Sequence, residues 1–116
     1  MTPEHFVTQV LSEIIDQNTI SYKHIFETTA PQKATDPYWK RALVLFHSLN
    51  ETDQTVFFEI LRQVNIDTVS NLFAILDGVT SLEGQCEDFV LTTTASNKNI
   101  NGNLQDLFLE IVEHED

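Results

Sequence analysis

From Glu51 to Asp77 the chain runs without a single Gly or Pro. A stretch of that length in one helix makes a rod about 40 Å long, against a mean helix of about three turns, so any fold must be built along it. Asn50-Glu51-Thr52-Asp53 marks its start, with acids where the helix dipole favours them. Val56, Phe57, Ile60, Leu61 and Val64 form a first apolar stripe. The apolar positions then rotate to Ile66, Val69, Phe73 and Leu76, while Leu72 and Ile75 stay on the first face. This pattern predicts one helix buried on both sides in its second half, with Phe73 and Ile75 inaccessible. Gly78 after Asp77 supplies the C-terminal cap.

Two further helices announce themselves by a cap followed by proline. Thr2-Pro3 precedes Phe6, Val7, Val10, Leu11, Ile14 and Ile15, an amphipathic helix expected to end near Gln17. Ile20, Tyr22, Ile25 and Phe26 suggest a short helical piece under a connection to Thr35. Asp36-Pro37 starts the stripe Trp39, Ala42, Leu43, Phe46 and Leu49, widened by Tyr38 and Leu45. Phe89–Thr94 alternates and is rich in β-branched residues, so it reads as a strand, with Asn99–Asn101 returning to close a small hairpin. Leu104, Leu107, Phe108 and Ile111 then mark a last helix of about ten residues, with Glu113–Asp116 fraying. The expected fold is mainly α with a minor β part. It has three to four helices in a bundle-like, Phe-rich core, in one domain spanning residues 1–116, with a β-hairpin before the C-terminal helix.

Charge bounds the partners. The chain has 18 acidic and 6 basic residues, a net charge of −12. Residues 1–66 hold eight acids and five bases, whereas residues 67–116 hold ten acids and only Lys98. Such a surface repels nucleic acid and anionic membrane and attracts basic partners. The apolar runs Ala42–Phe46 and Leu72–Leu76 are too short to cross a bilayer, no signal peptide is visible, and Cys86 is the lone cysteine. The expectation is a cytoplasmic protein.

Motifs for chemistry are scarce. His24 and Glu27 lie at i, i+3, but no second ligand pair accompanies them and HExxH is absent, so they read as a solvated pair. His47 beside the α-helical stripe reads as a partly buried packing residue. Cys86 sits among Glu83, Glu87 and Asp88, surroundings opposed to nucleophilic activation. No Gly-rich phosphate loop or other cofactor motif exists, and Lys40-Arg41 reads as the solvated outer face of its helix. Asn97, Asn99, Asn101 and Asn103 alternate along the chain and read as turn formers. Asp106, Glu110 and Glu113 are different. They form one line of like charge on the last helix, where each i, i+4 repulsion costs about 0.2–0.5 kcal/mol and the helix end disfavours acids.

Four segments carry a resemblance: Asp36–Leu43, Phe57–Val64 with Asp67–Asn71, Leu76-Asp77-Gly78, and Asn101–Glu110. They resemble a family of small, acidic, uncharacterised bacterial proteins, over about residues 20–113. The resemblance implies no activity and transfers no functional residue. In general build the chain also resembles bacterial immunity proteins. The reading that follows is a non-catalytic protein that neutralises a basic partner through Glu83, Glu87, Asp88, Asp106, Glu110 and Glu113, with no catalytic, metal or cofactor residues. Two alternatives stand beside it. One is a homo-oligomeric scaffold or adaptor using the Tyr38-Trp39 end or the apolar surface of the 51–77 helix. The other is an enzyme with a carboxylate site among Glu59, Asp67 and Asp77.

Overall fold

The Thr2 hydroxyl accepts a hydrogen bond from the His5 amide at 3.1 Å, and α1 spans Pro3–Val10 behind it. In the computed structural model, which describes residues 1–115, this helix does not end near Gln17. It passes through a π segment, Leu11–Asp16, straight into α2, Gln17–Thr28, with helical backbone at both joins. Asn18 and Thr19 are weak helix formers but not breakers, and the Thr19 hydroxyl donates to the Ile15 carbonyl at 2.8 Å. The π segment has a geometric consequence. Val7 and Phe26 are nineteen residues apart, which in a pure α-helix leaves them about 100° out of register. A π-bulge accommodates one extra residue and removes about that angle. Both side chains end up buried, one near each end of the same rod.

Asp36 caps α3, Pro37–His47, by accepting from the amides of Tyr38 at 2.8 Å and Trp39 at 3.3 Å. Asn50 caps α4, which runs unbroken over Glu51–Leu76. Gly78 sits at φ +78°, with the Val79 amide bonded to the Ala74 carbonyl and the Gly78 amide to that of Ile75. That is a Schellman stop, and it needs a residue at ease in the left-handed region. The last helix, α5, spans Leu104–Glu113.

The expected β-hairpin does not form. Residues 79–103 are irregular, and among the described residues the β pairing is one isolated bridge, Thr93 with Ser96. The Ile100 amide does reach the Leu91 carbonyl at 2.7 Å, so the two arms return on each other. No third strand or sheet flanks them, and a lone two-stranded ribbon gains too little to hold a ladder. Phe89 and Val90 stay exposed.

The buried side chains separate into two clusters instead of one. The first gathers Val7, Leu11 and Ile15 with Ile66 and Phe73 of α4, Ile100, and Leu104 and Phe108 of α5. The second is aromatic: Phe26, Leu43, Phe46 and Phe58, with Trp39 and Phe57 packed against them. Phe26 is its hub, with ring centroids 5.1–6.4 Å from Trp39, Phe46, Phe57 and Phe58. The rod of α1 and α2 and the long α4 link the clusters. The result is elongated, 51 × 35 × 26 Å, with a radius of gyration of 17.9 Å where a compact chain of this length has about 13 Å.

This division corrects several expected faces. On α4 the aromatic cluster is met by Phe58, with Phe57 and Leu61 half-buried, while Val56, Ile60 and Val64 are exposed. Two apolar faces overlap there, and periodicity alone cannot choose between them. Phe73 is buried and Ile75 half-buried, but Leu72 is exposed, so the buried side of α4 turns as it leaves one cluster for the other. Tyr38 and Leu45 also face solvent, because Trp39, Leu43 and Phe46 already fill the inner side of α3.

Candidate functional site

The outer side of α5 is acidic because its inner side is fully committed. Leu104 and Phe108 are inaccessible, and Leu107, Ile111 and Val112 pack around them. Asp106, Glu110 and Glu113 are left exposed as a column on one helix. Among the described residues the ion pairs both belong to Arg62, which bonds Asp16 at 2.6 Å and also Glu115. None of the three column acids has a cationic partner. Asp88 is exposed and lines a shallow recess at the start of α5 with Asp77, Gly102 and Asn101. Glu83 and Glu87 are exposed on a separate turn, tied by Gln85, which accepts from the Leu82 amide and donates to the Glu87 carbonyl. Of the six acids, then, three share a helix face, a fourth sits near its beginning, and two belong to the preceding loop.

The recess owes its shape to two residues with structural work. Asp77 stands at the end of α4 and accepts from the Gly102 amide at 2.7 Å and the Gln105 amide at 2.8 Å. It thereby caps α5, whose own N-cap residue, Asn103, makes no side-chain bond to it. Asn101 clasps the long loop to α4. Its amide nitrogen donates to the carbonyls of Leu76 and of Phe89, the latter at 2.8 Å, and its oxygen accepts from the Leu91 amide at 2.9 Å. The row of asparagines hinted at a turn but not at this role.

A second candidate region surrounds Arg62, between the clusters. An open cleft of about 480 Å³ lies between α2 and α4, lined by Lys23, Glu27, Thr55, Phe58, Glu59 and Arg62. Burial lowers the pKa of the Arg62 guanidinium, but the bonds and charges of Asp16 and Glu115 outweigh it and hold the pKa above its ordinary value. Arg62 is a fixed cation joining the first helical rod, α4 and the C-terminal segment. Glu115, expected to fray, is held by it; Asp116 lies outside the described residues.

The remaining candidates are dispersed. Glu59, Asp67 and Asp77 lie about 12 Å and about 15 Å apart along α4, from 1.5 Å of rise per residue. Asp67 accepts from Gln63 at 2.9 Å, and Asp77 is occupied as a cap. Among the described residues no three His, Cys, Asp or Glu side chains converge on a metal position. His47 is exposed, not packed inside, and its Nε2 lies 3.0 Å from the Thr29 carbonyl, tying the ends of α2 and α3 together. Cys86 is free and exposed. No described helix is long and apolar enough to cross a membrane. No family model, curated protein or solved structure matches the chain.

Proposed function

We propose that the protein is a non-catalytic binding protein of the immunity or inhibitor type, which neutralises a basic protein partner through its acidic C-terminal half. One observation carries this reading: Asp106, Glu110 and Glu113 stand exposed and uncompensated on a helix whose opposite face is locked into the core. A helix under selection for stability alone gains from cations near its end, not from Glu110 and Glu113. In this reading Asp88, near the start of α5, and Glu83 and Glu87, on the preceding turn, supply the other contacts. The mechanism is electrostatic steering followed by occlusion of the partner's site, without turnover.

The test replaces Asp106, Glu110 and Glu113 together by Gln and uses the parent protein to capture its partner from the native cells. The folded state is expected to be as stable as the parent or slightly more so. Association should slow and its salt dependence flatten, since rim charges act mainly on the on-rate. A triple variant that binds the same partner at the same rate refutes the acidic face as the recognition surface.

A further inference from the structure

Of the chain's asparagines only Asn101 precedes a glycine, and of its aspartates only Asp77 does. These two residues also join the long loop and α5 to the end of α4. Glycine matters because it has no Cβ, so its nitrogen can close on the preceding side-chain carbon and form a cyclic imide. In the clasped loop, however, every reacting atom of Asn101-Gly102 is engaged elsewhere. The Gly102 nitrogen, which would attack, donates its hydrogen to Asp77 at 2.7 Å. The Asn101 side-chain nitrogen, which would leave, donates to the Leu76 and Phe89 carbonyls, and the oxygen accepts from the Leu91 amide at 2.9 Å. Attack needs the Gly102 nitrogen to give up its bond to Asp77 and turn toward the Asn101 Cγ. Little besides the clasp holds the loop down. Ile100 is the one buried side chain of residues 79–103, while Val79, Leu82, Phe89 and Val90 are exposed. A segment with so few buried contacts opens locally, at less cost than global unfolding.

We propose that Asn101-Gly102 is a covalent modification site gated by this loop: Asn101 deamidates when residues 79–103 detach, and the product cannot re-form the clasp. Hydroxide deprotonates the Gly102 nitrogen, which attacks the Asn101 Cγ. A C–N bond forms, the Cγ–Nδ2 bond breaks, and ammonia leaves with a proton from water, returning the hydroxide. Water then opens the imide at either carbonyl, giving aspartate or isoaspartate, with nothing oxidised or reduced. Either product has a carboxylate, an acceptor only, where the clasp needs a donor to Leu76 and Phe89. It also adds a negative charge at a junction that already holds the Asp77 carboxylate. In isoaspartate the main chain is one carbon longer as well, which displaces the Gly102 amide from Asp77. Loop opening thereby becomes irreversible, and Glu83, Glu87 and Asp88 lose their fixed places. The modification goes beyond the proposed function and needs no partner.

Ageing the full chain at mildly alkaline pH, followed by peptide mapping in a mass spectrometer and enzymatic methylation of isoaspartate, tests this. Asn101 should convert before any other asparagine, to a mixture of the two acids. Conversion should be about 10-fold or more faster in denaturant than in the folded chain, the protection expected of the clasp's hydrogen bonds. Asp77→Ala removes the acceptor of the Gly102 amide and should speed conversion in the folded protein several-fold. Should that variant fail to fold, Asp77→Asn is read in its place, with a smaller acceleration. Trp39→Ala destabilises the other cluster and should leave the rate at the parent value, because the gate is local. The converted parent, separated by its extra charge, should keep its helicity. Its amide exchange at Leu91 and Gly102 should be faster, as should proteolysis within residues 79–103. A folded chain that converts Asn101 as fast as the denatured one, never converts it, or first converts another asparagine overturns the inference. So does equal acceleration by Trp39→Ala and Asp77→Ala, or a converted loop as protected as the parent's.

Discussion

Asp77 offers the sharpest test of how the two ends of the chain are joined. Its carboxylate receives two backbone amides of the α5 N-terminus, at 2.7 and 2.8 Å, from a position 25 residues upstream of Gly102. Replacing it by Ala leaves both donors without their acceptor. Loss of one side-chain cap costs about 0.5–2 kcal/mol, and two orphaned amides place this case near the top of that range. The dipole terms largely cancel, because the acid stabilises the start of α5 while opposing the end of α4, each by about 0.3–1 kcal/mol. The net expectation is a loss of about 2 kcal/mol. An unfolding entropy of about 2.1 cal/mol/K per residue then gives a fall in Tm of about 8 °C. Thermal unfolding by circular dichroism reads the loss, and amide exchange at Gln105 should rise in the same variant. Asp77→Asn, which keeps one acceptor oxygen, should fall between parent and Ala. A Tm within about 2 °C of the parent for Asp77→Ala would refute the cap, and would return Asp77 to the acids whose role is open.

Two further substitutions probe the aromatic cluster and the junction between the clusters. Phe26→Ala should cost about 3–5 kcal/mol, since the ring is buried among five aromatic neighbours, whereas half-buried Trp39→Ala should cost about half as much. Denaturant unfolding orders the pair, and a reversed order would show Trp39 to be the anchor. Arg62→Met should cost no more than about 1 kcal/mol, because Asp16 and Glu115 are each more than a third exposed and return to water. A loss above about 3 kcal/mol by the same measurement would mean that the pairs behave as buried ones.

Residues acting on their near neighbours made much of this protein readable from its sequence. Thr2, Asp36 and Asn50 cap helices through amides two or three residues away, and Gly78 stops α4 through carbonyls three to five residues back. These signals, with helical periodicity, were enough for the single long α4, the start of each main helix and the acidic column of α5. Everything that needed a distant partner was open. Val56, Ile60 and Val64 read as core until Phe26 and Phe46 approached α4 from its Phe58 side. Asn18-Thr19 read as a stop because the π segment that carries α1 into α2 leaves no local composition mark. The strand signal of residues 89–94 found no sheet to join. Asp77, Asn101 and Arg62 each reach partners 25 to 53 residues away. A local pattern states which side chains can share a face; only the packed chain decides which face meets another, because burial free energy belongs to the pair of surfaces and not to either segment alone.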